Sequence, residues 1–235
     1  MRVGVVGREW DSDTDSGHLI AAKRDGSLVL WDWERDRRPV DVDGWRPASR
    51  REVSRDGTRY VGCADLTTTV WERTGLVVRT FHHSRPSVAC SIDDAGKRVV
   101  MVDIVGKLTI WDLASGDVVA EISDGQGQLS ATFAGSWLVT LGLGNRVELR
   151  DPDTGTLLAS YSKSGGRPAI SRGEHPRLAL AHDDGSIEIV DLDGGRLGGR
   201  FVRRDHPGET IASAAGDLLL TQKDQTATLW DLRKS

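Results

Sequence analysis

Leu108-Thr109-Ile110-Trp111-Asp112-Leu113 is the clearest copy of a stretch that the chain repeats six times. Each copy is a short apolar run that closes with an acidic residue. The six closing residues are Asp32, Glu72, Asp112, Asp151, Asp191 and Asp231. Successive closing residues lie 40 positions apart, except for one interval of 39. A period this regular over nearly the whole chain predicts a repeat architecture.

Three further apolar runs accompany each copy. In the third repeat, one run precedes the copy at Val99-Val100-Met101-Val102, and another follows a glycine turn at Val118-Val119. A weaker run opens the repeat at Ser87-Val88-Ala89-Cys90. Short runs rich in β-branched residues and separated by Gly and Asp turns are typical of consecutive antiparallel strands. Four strands in about 40 residues correspond to one blade of a β-propeller.

The Trp-Asp endings, such as Trp111-Asp112 and Trp230-Asp231, resemble those of the WD-repeat β-propeller family. The resemblance covers residues from about 8 to 232, although Arg150 and Val190 occupy the Trp position in two copies. It implies an all-β fold: a six-bladed β-propeller of four-stranded antiparallel blades, with residues 1–235 as a single domain. In that family, a loop His, a second-strand Ser, a turn Asp and the Trp form a hydrogen-bonded brace. The repeats here are degenerate, and His83 and His206 stand nearest to the loop His.

Closure of the ring involves the start of the chain. The last copy ends at Asp231-Leu232, and only three residues follow it, so its blade lacks an outer strand of its own. Residues 2–7 are expected to supply that strand, since an unpaired edge favours association with other chains. The alternative is that Val3–Val6 form the first strand of the first blade, in which case the ring closes poorly or the chain is part of a longer protein.

Arg-Pro pairs recur between the repeats, at Arg46-Pro47, Arg85-Pro86 and Arg167-Pro168, and Arg204 precedes a fourth Pro by three residues. In a propeller these segments open on one face around the central channel. A ring of guanidinium groups suits carboxylate or phosphate groups, because each offers a planar fork of donors. The candidate partner-binding residues are Trp45, Arg46, His83, Arg85, Arg167, Arg204 and His206.

A structural role for the same arginines is the competing interpretation. The turn residues Asp25, Asp65, Asp184 and Asp224 are expected on the same face. An Arg paired with one of them would replace the missing family His, because a cation beside an anion usually serves the fold. A His in such a loop is likewise more often a brace or exposed to solvent than a ligand.

Composition narrows the classes of function. The net charge of −4 gives no general attraction to nucleic acid or membrane surfaces. No apolar stretch is long enough to span a bilayer, and none resembles a signal peptide. Cys63 and Cys90 fall on predicted core strands and are expected to be buried. The expected protein is a cytoplasmic monomer.

Chemistry of its own is not expected for this chain. Its six histidines share no register, and nucleophile elbows and phosphate loops are absent from the sequence. The acidic run at residues 11–15 departs from a calcium loop, since Ser16 replaces the required Gly. The sequence therefore predicts a binding scaffold without metal or cofactor, with an acidic or phosphorylated protein or peptide as partner. A propeller enzyme, a metal-binding or cofactor-binding propeller, and a regulatory module of a larger protein remain the alternatives.

Overall fold

The computed structural model describes the chain in segments, and side chains are described between residues 52 and 192 with gaps. The segments are residues 18–22, 28–32, 40–42, 50–54, 56–123, 127–144, 146–162, 168–171, 176–182, 186–192, 198–202, 210–215, 218–223 and 226–231. The expected closing strand at residues 2–7 and the acidic run at residues 11–15 lie outside these segments.

All of the regular structure in these segments is β, in antiparallel sheets of three or four strands that follow one another along the chain. The predicted antiparallel strands are confirmed, and four of the sheets are four-stranded. No helix that could cross a membrane is found in the described part of the chain.

Contacts divide the chain into two compact units, Met1–Gly125 (unit 1) and Gln126–Ser235 (unit 2). The sheets of unit 1 are β1 (His18–Ala22), β2 (Leu28–Asp32) and β3 (Val40–Val42); β4 (Arg50–Val53), β5 (Arg59–Ala64), β6 (Thr67–Glu72) and β7 (Val77–His82); and β8 (Ser87–Ile92), β9 (Arg98–Asp103), β10 (Leu108–Asp112) and β11 (Val118–Ile122). The sheets of unit 2 are β12 (Gln128–Ala134), β13 (Trp137–Gly142), β14 (Arg146–Arg150) and β15 (Leu157–Ser162); β16 (Ala169–Ile170), β17 (Arg177–Ala181), β18 (Ile187–Asp191) and β19 (Gly198–Val202); and β20 (Thr210–Ala215), β21 (Leu218–Lys223) and β22 (Thr226–Asp231).

The core of unit 1 lies between its two four-stranded sheets. Phe81 on β7 stacks on Trp111 on β10, with ring centroids 4.8 Å apart, so the outer strand of one sheet covers the third strand of the next. Within the first of these sheets, Tyr60 stacks on its cross-strand neighbour Trp71 at 5.5 Å. Cys63 and Cys90 are buried in the same cluster, as predicted.

The buried cluster around Leu149 in unit 2 is aliphatic, whereas the buried cluster of unit 1 includes the aromatic rings of Phe81 and Trp111. Val190 occupies the Trp position of its repeat and is buried with Leu149 and Leu178. Trp137 packs against this cluster and donates its indole N–H to the Leu192 carbonyl. The two units thus fill the space between consecutive sheets with different side chains.

A β-bulge recurs where the third strand of a sheet pairs with the fourth. The register shifts at the Trp position or its equivalent in three sheets, between Val70 and Trp71, between Ile110 and Trp111, and between Leu149 and Arg150. A bulge increases local twist and makes the adjacent edge strand a poorer template for another chain.

In two of the described repeats, the closing acidic residue holds the turn after the third strand. Asp112 Oδ1 accepts a hydrogen bond from the Ser115 N–H at 2.8 Å, and the Asp112 carbonyl accepts one from the Gly116 N–H at 2.9 Å. Gly116 has φ of 84°, a conformation that favours glycine. The Ser115 N–H is the main cause of the lowered pKa of Asp112. Asp151 accepts equivalent bonds from Asp153 and Thr154 at 2.8 and 3.0 Å.

We expect Trp111→Ala to lower the free energy of unfolding by about 3–5 kcal/mol, because it leaves a cavity under Phe81. Urea denaturation followed by circular dichroism measures the loss. Leu76→Ala is a suitable control, since Leu76 is exposed and its truncation should change stability by less than about 0.5 kcal/mol. Equal losses in the two variants would contradict a core role for Trp111.

Candidate functional site

Two of the predicted partner-binding residues, His83 and Arg85, lie in the described loop between β7 and β8. Main-chain hydrogen bonds fix both ends of this loop. The His83 N–H donates to the Leu66 carbonyl at 3.0 Å, and the Ser87 N–H donates to the Asp65 carbonyl at 2.8 Å. The loop therefore has a defined conformation against the β5–β6 turn.

The His83 ring is engaged inside the protein through both nitrogens. Nδ1 lies 2.8 Å from the Arg85 carbonyl oxygen, and Nε2 lies 3.2 Å from Oγ1 of the buried Thr68. A carbonyl only accepts, so Nδ1 carries the proton, and in the neutral ring Nε2 accepts from the Thr68 hydroxyl. This arrangement makes His83 a brace for the loop, joined to the third strand of its own sheet.

Arg85 projects from this braced loop, and its side chain is 53% exposed. Its Nη1 lies 3.6 Å from Oδ2 of the buried Asp103 at the end of β9. Asp103 Oδ1 also accepts hydrogen bonds from the Val105 and Lys107 N–H groups, at 3.0 and 2.9 Å. The Asp103 carboxylate thus serves both the β9–β10 turn and Arg85. Asp103 is not one of the turn aspartates predicted from the sequence.

A groove of about 260 Å³ adjoins the loop. Its charged walls carry two ion pairs, Arg85 with Asp103 and Lys107 with Glu121, the second at 2.6 Å. The charges of these lining residues balance, which gives the groove no strong preference for an ion of either sign. The whole lining is His82, His83, Ser84, Arg85, Met101, Asp103, Lys107, Thr109, Trp111, Val118 and Glu121.

The other predicted partner-binding residues lie outside the described residues. They are Trp45, Arg46, Arg167, Arg204 and His206. Their common placement on one face with Arg85 therefore stays a prediction. Among the residues with described placement, no group of three or more His, Cys, Asp or Glu side chains could hold a metal ion.

A buried charged cluster in unit 2 was not foreseen from the sequence. The buried Arg150 takes the Trp position and donates from Nε to Glu148 Oε2 at 3.1 Å. Gln128 donates to the same oxygen at 3.2 Å, and Arg146 lies 2.8 Å from Glu148 Oε1. The sequence contains one sign of this cluster, which is a paired change between consecutive repeats. Thr109 and Trp111 of the third repeat are replaced by Glu148 and Arg150 at the same positions of the fourth.

Glu188 in unit 2 interacts with two other titratable groups, His182 and Tyr161. His182 Nε2 lies 3.3 Å from Glu188 Oε2. Burial, followed by the charge of Glu188, raises the pKa of Tyr161 on β15. Tyr161 occupies the repeat position of Phe81, so a phenol stands where unit 1 has an apolar ring.

No model of a known protein family matches the chain, and a search of curated proteins returns no match to it.

We expect His83→Ala to lower the free energy of unfolding by about 1–3 kcal/mol, because the buried Thr68 hydroxyl loses its ring partner. His82→Ala is the matched control: its side chain is exposed, and the change should stay within about 0.5 kcal/mol. Thermal and urea denaturation of both variants test the difference. Similar stabilities for the two variants would rule out the brace.

A double-mutant cycle tests the buried pair. Glu148→Thr alone should cost about 3–5 kcal/mol, because the buried Arg150 loses its carboxylate partner. Arg150→Trp alone should cost less, because Glu148 keeps its contact with Arg146. The double variant restores the Thr and Trp of the preceding repeat, so its loss should fall below the sum by roughly 2 kcal/mol. Urea denaturation gives the four free energies, and additive losses would show that the two positions are not coupled.

Proposed function

We propose that the chain is a WD-repeat-like, six-bladed β-propeller that binds a protein or peptide and catalyses no reaction. The regular period and the succession of antiparallel sheets support the propeller. In this arrangement Arg46, Arg85, Arg167 and Arg204 project from one face. The net charge of −4 favours a protein ligand over nucleic acid. The proposed protein is a cytoplasmic monomer that needs no cofactor.

The observation that carries the proposal is the exposed guanidinium of Arg85 on a braced loop. Its contact with Asp103, at 3.6 Å, is longer than a direct hydrogen bond and leaves donors of the fork available. A fixed loop loses little conformational freedom when it binds, which favours recognition. Acidic or phosphorylated groups are the chemistry that such a donor selects.

The experiment compares capture of a partner from cell extract by two forms of the protein. Arg46, Arg85, Arg167 and Arg204 are changed together to Glu in one form, which should lose the partner that the wild type captures. The β circular-dichroism spectrum should stay unchanged, because the proposed role of these side chains is external. Loss of the spectrum would show instead that the arginines stabilise the fold.

A second variant separates the position of the charges from their number. Arg37, Arg73, Lys97 and Arg196 belong to connections between first and second or between third and fourth strands, at the other end of the strands. Changed together to Glu, they alter the net charge equally and should leave capture intact. Equal loss of capture in both variants would mean that general electrostatics, and not the arginine face, holds the partner. Capture that survives in both would place the site elsewhere on the protein.

A further inference from the structure

Aliphatic side chains stand exposed at the tips of two turns in unit 1. Leu66 in the β5–β6 turn is 46% exposed, and Ile104 and Val105 in the β9–β10 turn are 58% and 57% exposed. Both turns join the second and third strands of their sheets. Tight turns ordinarily carry Gly, Asn, Asp or Ser, because these residues satisfy turn geometry and solvent together. Three large aliphatic side chains at such positions need an explanation.

Closure of the turns does not require those side chains. In the β9–β10 turn, the Asp103 carboxylate accepts the Val105 and Lys107 N–H groups, and Gly106 supplies the φ of 82°. Asp65 supplies the corresponding φ of 46° in the β5–β6 turn. Smaller or polar residues at the three tip positions would leave these main-chain features intact.

The loop that carries Arg85 joins the two turns. The His83 N–H reaches the Leu66 carbonyl at 3.0 Å, and the Ile104 N–H reaches the Pro86 carbonyl at 2.9 Å. The exposed residues Leu66, Arg85, Pro86, Ile104 and Val105 therefore lie along one connected strip, here named the turn-tip surface. Contiguous exposed apolar residues of this kind mark interaction sites more often than scattered ones do.

The corresponding turn of unit 2 shows the same feature. Leu143, between β13 and β14, is 62% exposed. An apolar tip thus appears in three successive described turns between second and third strands, in both units taken separately. The sequence has no large aliphatic residue in the same segment of the other three repeats, at residues 23–27, 182–186 and 224–225, so the apolar tips belong to the three middle repeats.

The charged side chains on the turn-tip surface indicate which chemical group of a partner it would bind. Arg85 is the cation on this strip, and part of its charge is already met by Asp103. The neighbouring Lys107 is paired with Glu121 at 2.6 Å. One partly available guanidinium matches a single carboxylate better than a phosphate dianion, which gains most from several cations.

We propose that the turn-tip surface binds a segment of another protein in which an apolar side chain stands next to an Asp or Glu. The apolar side chain packs on Leu66, Ile104 and Val105, and the carboxylate accepts from Arg85. This inference rests on the proposed function and adds the class of partner. In it, apolar contact supplies most of the affinity, and the ion pair orients the segment.

The test selects ligands from a displayed library of random peptides on the full chain. Selected peptides should share an apolar residue beside Asp or Glu. Synthetic copies labelled with a fluorophore should lose about tenfold in affinity for Ile104→Ser/Val105→Ser, measured by anisotropy, which corresponds to about 1.4 kcal/mol. Arg85→Gln should cause a smaller loss that diminishes at high salt.

Leu76→Ser/Val77→Ser is the matched control, because these residues are 65% and 52% exposed but lie just before β7 and at its first residue, away from the turn-tip surface. It should bind the peptides as the wild type does, and circular dichroism should show all variants folded. Peptides that lose binding to the four-arginine variant but not to Ile104→Ser/Val105→Ser would overturn this inference and leave the proposed function standing. Peptides that bind only when phosphorylated would also overturn it. Failure to select any peptide, or binding indifferent to every variant, would count against both.

Discussion

A four-stranded antiparallel sheet presents two faces, and a short sheet rich in Val, Leu and Ile cannot keep both in water. The stacking of Phe81 on Trp111 shows how unit 1 meets this constraint, since the outer strand of one sheet covers the third strand of the next. Within unit 1, the sheet β4–β7 and the sheet β8–β11 therefore depend on each other for burial. Unit 2 obeys the same constraint with Val190 and Leu149 in its core.

The residue pair that closes each repeat has two separable roles. In the turns after β10 and β14, the acidic residues Asp112 and Asp151 cap the turn through main-chain N–H groups, which is a local task. The preceding residue fills the space toward a neighbouring part of the fold, and its identity can change when its partner changes. This difference explains why both closing residues are Asp, while the residue before them is Trp111 in one repeat and Arg150 in the next.

The brace and the exposed cation are two parts of one loop. His83 and the main-chain bonds hold its backbone, and Asp103 limits the range of Arg85 without covering it. The Arg85 side chain therefore starts from a fixed backbone position and keeps N–H donors available to a partner. An exposed ion pair contributes little binding free energy in water. The aliphatic turn tips on either side of Arg85 add apolar contact area that would strengthen binding.

The strands and their antiparallel succession could be predicted from the sequence, because they depend on local periodicity and on turn residues between near neighbours. The burial of Cys63 and Cys90 could be predicted in the same way. Tertiary contacts were needed to show that His83 is turned inward to Thr68, that Arg85 meets Asp103, and that Glu148 and Arg150 are buried together. The physical reason is that periodicity reports which face a residue is on, whereas a specific polar contact depends on distances between side chains that strand registers and loop conformations bring together.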